Sequence, residues 1–146
     1  MSEIASEAPP LFTRLARASL LLELLQQECL EPLSLTFVEY TVLRVLDPAP
    51  LSPSKLADAV VRTTGGMTKL VDRLERRGLV RRVPDANDRR GVLVELTGEG
   101  HELSRKASDA YSVGRNRLLG RLAIDERTDI EAGLQRLVEV LEEDRA

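Results

Sequence analysis

The apolar positions repeat at helical spacing along most of the chain. From about Leu11 to Leu30 the apolar residues recur every three or four positions, which predicts an amphipathic helix with one long apolar stripe. Leu20, Leu21 and Leu24 widen that stripe beyond what one small neighbour would cover. We therefore expect this helix to pack against more than one partner.

Three shorter helices are predicted in the middle of the chain. Thr36 is an N-cap candidate for a helix that ends near Leu46, where the run DPAPLSP stops it. Ser52 followed by Pro53 begins a third helix, because proline is well tolerated at the first helical position. Thr63 is the N-cap candidate of a fourth helix.

The fourth helix carries its apolar residues on one face and two adjacent glycines near its start. Glycine inside a helix costs about 0.5–1 kcal/mol relative to alanine, so Gly65 and Gly66 indicate a compensating requirement. Gly78 follows two arginines and suits the end of the helix. The buried face is predicted to consist of Met67, Leu70, Val71 and Leu74.

Two short alternating segments follow the fourth helix. LVRRV begins at Leu79 and VLVEL at Val92, and the connector PDANDRRG is rich in turn-forming residues. This pattern predicts a β-hairpin whose tip holds Arg89 and Arg90. Thr97 is then expected to cap a long polar helix that ends near residue 119, and a last helix is predicted from about 125 to 143.

Two helices joined by a short turn and followed by a two-stranded wing form a winged helix-turn-helix. The predicted fold class is mainly α with a small β-hairpin wing, and the N- and C-terminal helices form a dimerisation layer. Residues 1–10 are expected to be a disordered leader and residues 11–146 a single domain. Within that domain, 36–97 is the winged-helix DNA-binding lobe, and 11–31 and 98–143 are the dimerisation helices. A monomeric core built by the outer helices is the alternative.

The charge is unevenly distributed, although the 146 residues carry a formal net charge of only -3. Residues 1–61 sum to -4, residues 62–92 to +5 and residues 93–146 to -4. A basic middle between acidic flanks is typical of a nucleic-acid-binding lobe in a protein whose overall charge is uninformative.

Other classes of protein have little support in the sequence. A single cysteine and a single histidine provide neither an intramolecular disulfide nor the spacing of zinc ligands, so no metal or cofactor is predicted. The apolar runs are too short to span a bilayer, and we expect a cytoplasmic protein. No phosphate-binding glycine loop or nucleophile elbow is present, so an enzyme is not predicted.

The segments LSPSKLADAV and TTGGMTKLVDRLERRGLVRRVPDANDRRGVLVELTGEG resemble the MarR family of bacterial transcription regulators. The most specific feature is the wing, with an Asp-x-Arg pattern at Asp88 and Arg90, and the order of elements is similar from about Leu11 to Glu143. The resemblance implies a homodimer whose fourth helices enter adjacent major grooves of double-stranded DNA. It also implies a repressor that a small phenolic or other lipophilic effector releases.

The exposed face of the fourth helix and the wing supply the candidate DNA-binding residues. Threonine and lysine side chains can meet base edges or phosphates, and glycines would let the first turn lie close to a phosphate. Arg90, oriented by Asp88, is expected to enter the minor groove, where narrow A/T-rich stretches attract arginine. The candidates are Thr63, Thr64, Gly65, Gly66, Thr68, Lys69, Arg73, Asp88, Arg89 and Arg90.

Asp72 is the acidic exception on this face. A carboxylate facing DNA is repelled, so Asp72 is expected to pair with Lys69 or Arg76 at helical spacing. The remaining basic residues are predicted to be phosphate anchors or plain surface charge, without a ranking among them. They are Arg62, Arg76, Arg77, Arg81 and Arg82.

Two alternative functions stay open at this point. The first is a winged-helix module that binds protein, against which the paired arginines of the wing argue. The second is a thiol-based redox regulator that acts through Cys29. Cys29 lies between Glu28 and Glu31 near the C-terminal end of the first helix, where a thiolate is disfavoured. We therefore interpret it as a small core residue.

Overall fold

The computed structural model describes residues 10–61 and 63–146. Residues 1–9 of the predicted leader (1–10) therefore lie outside the described residues, and Pro10 is the first residue of a helix. Two antiparallel strands accompany the helices, which confirms the mainly α fold with a β-hairpin wing. The elements are α1 (Pro10–Leu30), a 3-10 helix (Glu31–Leu33), α2 (Phe37–Leu46), α3 (Pro53–Ala59), α4 (Thr64–Arg76), β1 (Val80–Asp85), β2 (Asp88–Leu96), α5 (Gly98–Leu119) and α6 (Ile124–Arg145).

The helix starts coincide with the predicted capping residues. Thr36 Oγ1 accepts the backbone N–H of Glu39 at 3.2 Å, and the Glu39 carboxylate accepts the N–H of Thr36 at 2.9 Å. This reciprocal pair is a capping box. Ser52, Thr63 and Thr97 cap α3, α4 and α5 through one side-chain bond each. Local sequence chemistry therefore determines where each of these helices begins.

The core of the first compact unit, which ends at Tyr111, lies between α2, α3, α4 and the hairpin. The four α4 residues predicted to be buried are all at most 4% exposed. Burial of side chains of this size contributes about 1.5–3 kcal/mol each, so packing holds α4 with one face inward and the other outward. The largest fully buried side chains are Leu30, Leu43, Leu46, Leu56, Met67, Leu74, Val42, Val71, Val80 and Val94.

The hairpin strands extend further toward the turn than the sequence pattern predicts. Pro84 pairs with Val92, and Asp85 pairs with Asp88. Only Ala86 and Asn87 therefore form the turn. The connector interpreted as one long loop is mostly strand.

The wing contains a bulge that changes the position assigned to its arginines. The register shifts between Pro84 and Asp85, and Arg89, Arg90 and Gly91 of β2 have no Cα partners on β1. The prediction that Arg89 and Arg90 lie at the hairpin tip is wrong, because they lie within this bulge beside the tip. A bulge bends its strand and re-aims side chains.

The second compact unit is Ser112–Ala146, which contains the end of α5 and all of α6. Its helices leave many large apolar side chains exposed, and so does α1 of the first unit. Among the described residues, no helix is long and apolar enough to cross a membrane. The exposed apolar residues of α1 are Leu11, Phe12, Leu20, Leu21, Leu22 and Leu24, and those of α6 are Ile124, Ile130, Leu134, Val138, Val140 and Leu141.

Candidate nucleic-acid interface

The first turn of α4 is exposed and offers backbone N–H groups. Thr63 Oγ1 accepts the N–H of Gly66 at 3.2 Å, and the Thr63 carbonyl accepts the N–H of Met67 at 2.9 Å. The amides of Thr64 and Gly65 have no acceptor among the described residues. Together with the positive end of the helix dipole, they form an environment that suits an anionic group.

The two glycines of this turn differ in their surroundings. A Cβ built on Gly65 meets no atom within 4 Å, whereas one on Gly66 would lie 3.1 Å from Thr63 Oγ1. The absence of a side chain at Gly66 therefore leaves room for the capping hydroxyl of Thr63. Packing within the described chain gives no reason for Gly65.

The structure brings the predicted α4 residues together on one outward face. Thr64, Thr68, Lys69 and Arg73 are all exposed, while the apolar residues between them are buried. The Thr68 hydroxyl donates to the carbonyl of Thr64 at 3.1 Å, which fixes its rotamer and leaves its oxygen able to accept. This face therefore presents hydroxyl and cationic groups to solvent.

Glu39 of α2 accepts hydrogen bonds from two arginines, one within α4 and one directly after it. Its Oε1 accepts from Arg73 Nε at 2.8 Å, and its Oε2 accepts from Arg77 at 3.4 Å. Glu39 is only 4% exposed, so its charge is balanced by these cations rather than by water. Glu39 is not among the functional residues predicted from the sequence. The Thr36-x-x-Glu39 spacing signals its capping role, but no local pattern signals the contact with α4.

Asp72 pairs with the wing strand and not with its own helix. Its Oδ1 accepts from Arg82 at 2.6 Å, and Glu75 accepts from the same guanidinium at 3.0 Å. The predicted pairing of Asp72 with Lys69 or Arg76 is therefore wrong. The planar guanidinium bonds two carboxylates at once, which favours this arrangement over a single contact at helical spacing.

The structure also ranks the remaining arginines. Arg77, Arg81 and Arg82 each bond a carboxylate, and Arg81 does so with Glu95 at 2.6 Å. Arg76 reaches only a backbone carbonyl, at 3.4 Å. Arg76 is therefore the one of this group best able to contact a phosphate, and Arg62 lies outside the described residues.

The wing bulge is stabilised by two aspartates that bond nearby backbone amides. The N–H of Arg90 donates to Asp88 Oδ1 at 3.0 Å, and the N–H of Asn87 donates to Asp85 Oδ1 at 2.9 Å. Asp88 therefore bonds the backbone amide of Arg90 and not its guanidinium, so the predicted orientation of the Arg90 side chain by Asp88 stays a prediction. Both Arg89 and Arg90 are exposed.

A cavity of about 480 Å³ lies between the end of α1 and the start of α2. Cys29 lies outside its lining and packs, half-buried, against the core, which agrees with its interpretation as a core residue. The part of the chain that the structure describes contains no group of three or more side chains able to hold a metal ion. The cavity is lined by Glu23, Gln26, Gln27, Glu31, Ser34, Leu35, Thr36 and Phe37.

Comparisons with known proteins give consistent results for sequence and structure. A family model described as MarR family matches residues 33–91. The chain is 30% identical to the HTH-type transcriptional regulator PecS of Dickeya dadantii over 84% of this chain and 76% of PecS.

Two solved structures match most of the chain. A mutant MarR from E. coli complexed with operator DNA has a TM-score of 0.84 and 29% identity, and covers 93% of this chain and 99% of its own. AbsC from Streptomyces coelicolor, titled a MarR family transcriptional regulator, has a TM-score of 0.85 and 25% identity over 97% of this chain and 99% of its own.

Proposed function

This chain belongs to the MarR family of transcriptional regulators, and on that premise we propose that it binds double-stranded DNA sequence-specifically. The family is non-enzymatic, in agreement with the sequence prediction. The observation that carries the proposal is the outward face of α4. This face carries threonine hydroxyls, Lys69 and free backbone amides, and the wing bulge of the same lobe exposes Arg89 and Arg90. The similar E. coli MarR, whose structure contains operator DNA, supports DNA as the partner.

The proposed contacts divide into two kinds. Hydroxyl and ammonium groups of α4, at Thr64, Thr68 and Lys69, reach base edges in the major groove. Gly65 and the first-turn amides approach a phosphate, and the two wing arginines enter the adjacent minor groove. Thr63 acts chiefly by capping α4, because its Oγ1 already accepts a backbone N–H.

We further propose that the protein works as a homodimer on a pseudo-palindromic operator. The leucines of α1 and the apolar residues of α6 are exposed in the single chain. Exposed apolar surfaces of this kind mark places where another protein surface binds. A single winged helix reads only a few base pairs, and a two-fold dimer reads two half-sites about one helical turn apart.

The effector is proposed to occupy the cavity beside α2, and the protein to act as a cytoplasmic repressor that the effector releases. The cavity volume of about 480 Å³ suits a small molecule. Because Glu23 and Glu31 line it together with two glutamines, a neutral or cationic aromatic compound fits better than an anionic phenol.

The decisive experiment is enrichment of genomic fragments by the purified protein, followed by gel shifts on the enriched and on random DNA. Specific binding predicts a preference of at least about 10³-fold at moderate salt. Equal, strongly salt-dependent binding to both DNAs would contradict sequence specificity. No binding to either DNA would favour the protein-binding alternative, and loss of binding on oxidation that Cys29→Ser abolishes would favour the redox alternative.

A further inference from the structure

Glu39 is a nearly buried carboxylate whose two oxygens serve different elements. Oε2 accepts the N–H of Thr36 at 2.9 Å and so closes the cap of α2. Oε1 accepts from Arg73 Nε at 2.8 Å, across 34 residues of sequence. A carboxylate taken out of water needs such partners, and here they hold it between the start of α2 and the middle of α4.

The bond to Glu39 fixes Arg73 without using up its guanidinium. Only Nε is engaged, and the two terminal nitrogens have no hydrogen-bond partner among the described residues. The Arg73 side chain is 53% exposed on the same face as Lys69. Those two nitrogens form the fork that matches two oxygens of one phosphate.

The local charge still favours an anion. Arg73 and Arg77 together carry two positive charges against the one negative charge of Glu39. The cluster therefore keeps a net positive charge while its carboxylate is 95% removed from solvent. Side-chain freedom of Arg73 is lost when the protein folds, so less is lost when a ligand binds.

We propose that Glu39 is a positioning residue that holds Arg73 as a preorganised bidentate ligand for one DNA phosphate. The proposal rests on the proposed DNA-binding function and adds a role for a residue of α2 that faces α4. Plain electrostatics predicts the opposite effect of the carboxylate, because a negative charge near DNA repels phosphates. Whether removal of the Glu39 charge lowers or raises operator affinity therefore separates the positioning role from simple repulsion.

The test is Glu39→Gln in the full-length protein, measured on the enriched operator. Glutamine also closes a capping box, so α2 keeps its cap, but its amide cannot accept from both Thr36 and Arg73. We expect affinity to fall about tenfold even though a negative charge has been removed, an effect of the size of one charged hydrogen bond. The slope of log affinity against log salt should also decrease by about one phosphate contact.

Glu95→Gln is the matched control. It removes one carboxylate from the same lobe, but that carboxylate bonds a strand arginine, Arg81. The control should bind the operator at least as tightly as the parent. Arg73→Ala should reproduce the loss of affinity seen in Glu39→Gln. The double variant should bind no more weakly than Arg73→Ala, because both changes remove the same phosphate contact.

Thermal midpoints of all variants show whether folding is affected. If Glu39→Gln fails to fold, the affinity of Arg73→Lys tests the proposal instead, since lysine can pair with Glu39 but lacks the guanidinium fork. Operator affinity close to that of Arg73→Ala supports the proposal, and parental affinity overturns it. Parental or tighter binding by folded Glu39→Gln, or additive losses in the double variant, would also overturn it. Failure of the parent to bind any enriched DNA is a failure of the proposed function instead.

Discussion

Replacement of Gly65 by alanine should raise stability and lower operator affinity at the same time. The new Cβ meets no atom within 4 Å, so it introduces no clash in the folded protein. Alanine is favoured over glycine in a helix by about 0.5–1 kcal/mol, which corresponds to an increase of about 1–4 °C in the midpoint for a chain of this size. Folding alone therefore favours alanine.

Operator binding should respond in the opposite direction. If the first turn of α4 lies against a phosphate, the methyl group of alanine separates the free amides from that phosphate. We expect a loss of about tenfold, or 1.4 kcal/mol, and a larger loss in Gly65→Val. Thermal midpoint and operator affinity are to be measured on the same purified samples.

Gly66→Ala provides a contrasting case within the same turn. Its Cβ would lie 3.1 Å from Thr63 Oγ1, so the capping hydroxyl has to shift by a few tenths of an ångström and its bond to the Gly66 N–H is weakened. A weakened cap costs about 1 kcal/mol, which offsets the helical gain of alanine and leaves the midpoint nearly unchanged. Helix propensity alone favours alanine at this position, and the contact with the capping hydroxyl offsets that gain.

Gly98→Ala is the matched control for Gly65. Gly98 is also exposed in the first turn of a helix, α5, and its Cβ would meet nothing within 4 Å. It should gain similar stability with no change in DNA affinity. Parental affinity in both Gly65 variants would refute the close approach to DNA, and would leave Gly65 as a glycine without a functional reason.

Arg90→Ala should weaken operator binding most where the flanks are A/T-rich. Arg81→Ala is the control and should change affinity little, because the Arg81 guanidinium is bonded to the Glu95 carboxylate. An equal loss of affinity on G/C-rich flanks would contradict minor-groove binding by Arg90. Leu134→Glu places a charge on the apolar face of α6 and should convert a dimer into monomers by light scattering, and a monomeric parent would exclude the dimer. Leu74→Ala removes a fully buried side chain and should lower the free energy of unfolding by about 2–5 kcal/mol in urea, so a loss below 1 kcal/mol would contradict its core position.

The element starts and the buried face of α4 could be predicted from the sequence because their causes are local. Thr36, Ser52 and Thr63 each accept a backbone N–H three residues further along the chain, a distance over which spacing alone decides the contact. The apolar positions of α4 repeat with the helical period, so one face had to be buried.

The wing shows where local signals are ambiguous. Aspartate, asparagine and glycine favour turns, but they also suit a bulge, and the connector contains all three. The sequence therefore predicts a loop with Arg89 and Arg90 at its tip. Pairing of Pro84 with Val92 continues the strands and leaves the arginines in β2.

The ion pairs of the candidate interface depend on tertiary structure. Asp72 has basic neighbours at helical spacing, yet it bonds Arg82, which the hairpin brings alongside α4. Glu39 meets Arg73 only because α2 packs against the same core as α4. Helical period, capping and composition are enough to predict the helices, the basic lobe and the exposed side chains of α4. Which cations are held by carboxylates and which are free was decided by packing between elements, because side-chain charges separated by tens of residues have no spacing rule until the backbone brings them within bonding distance.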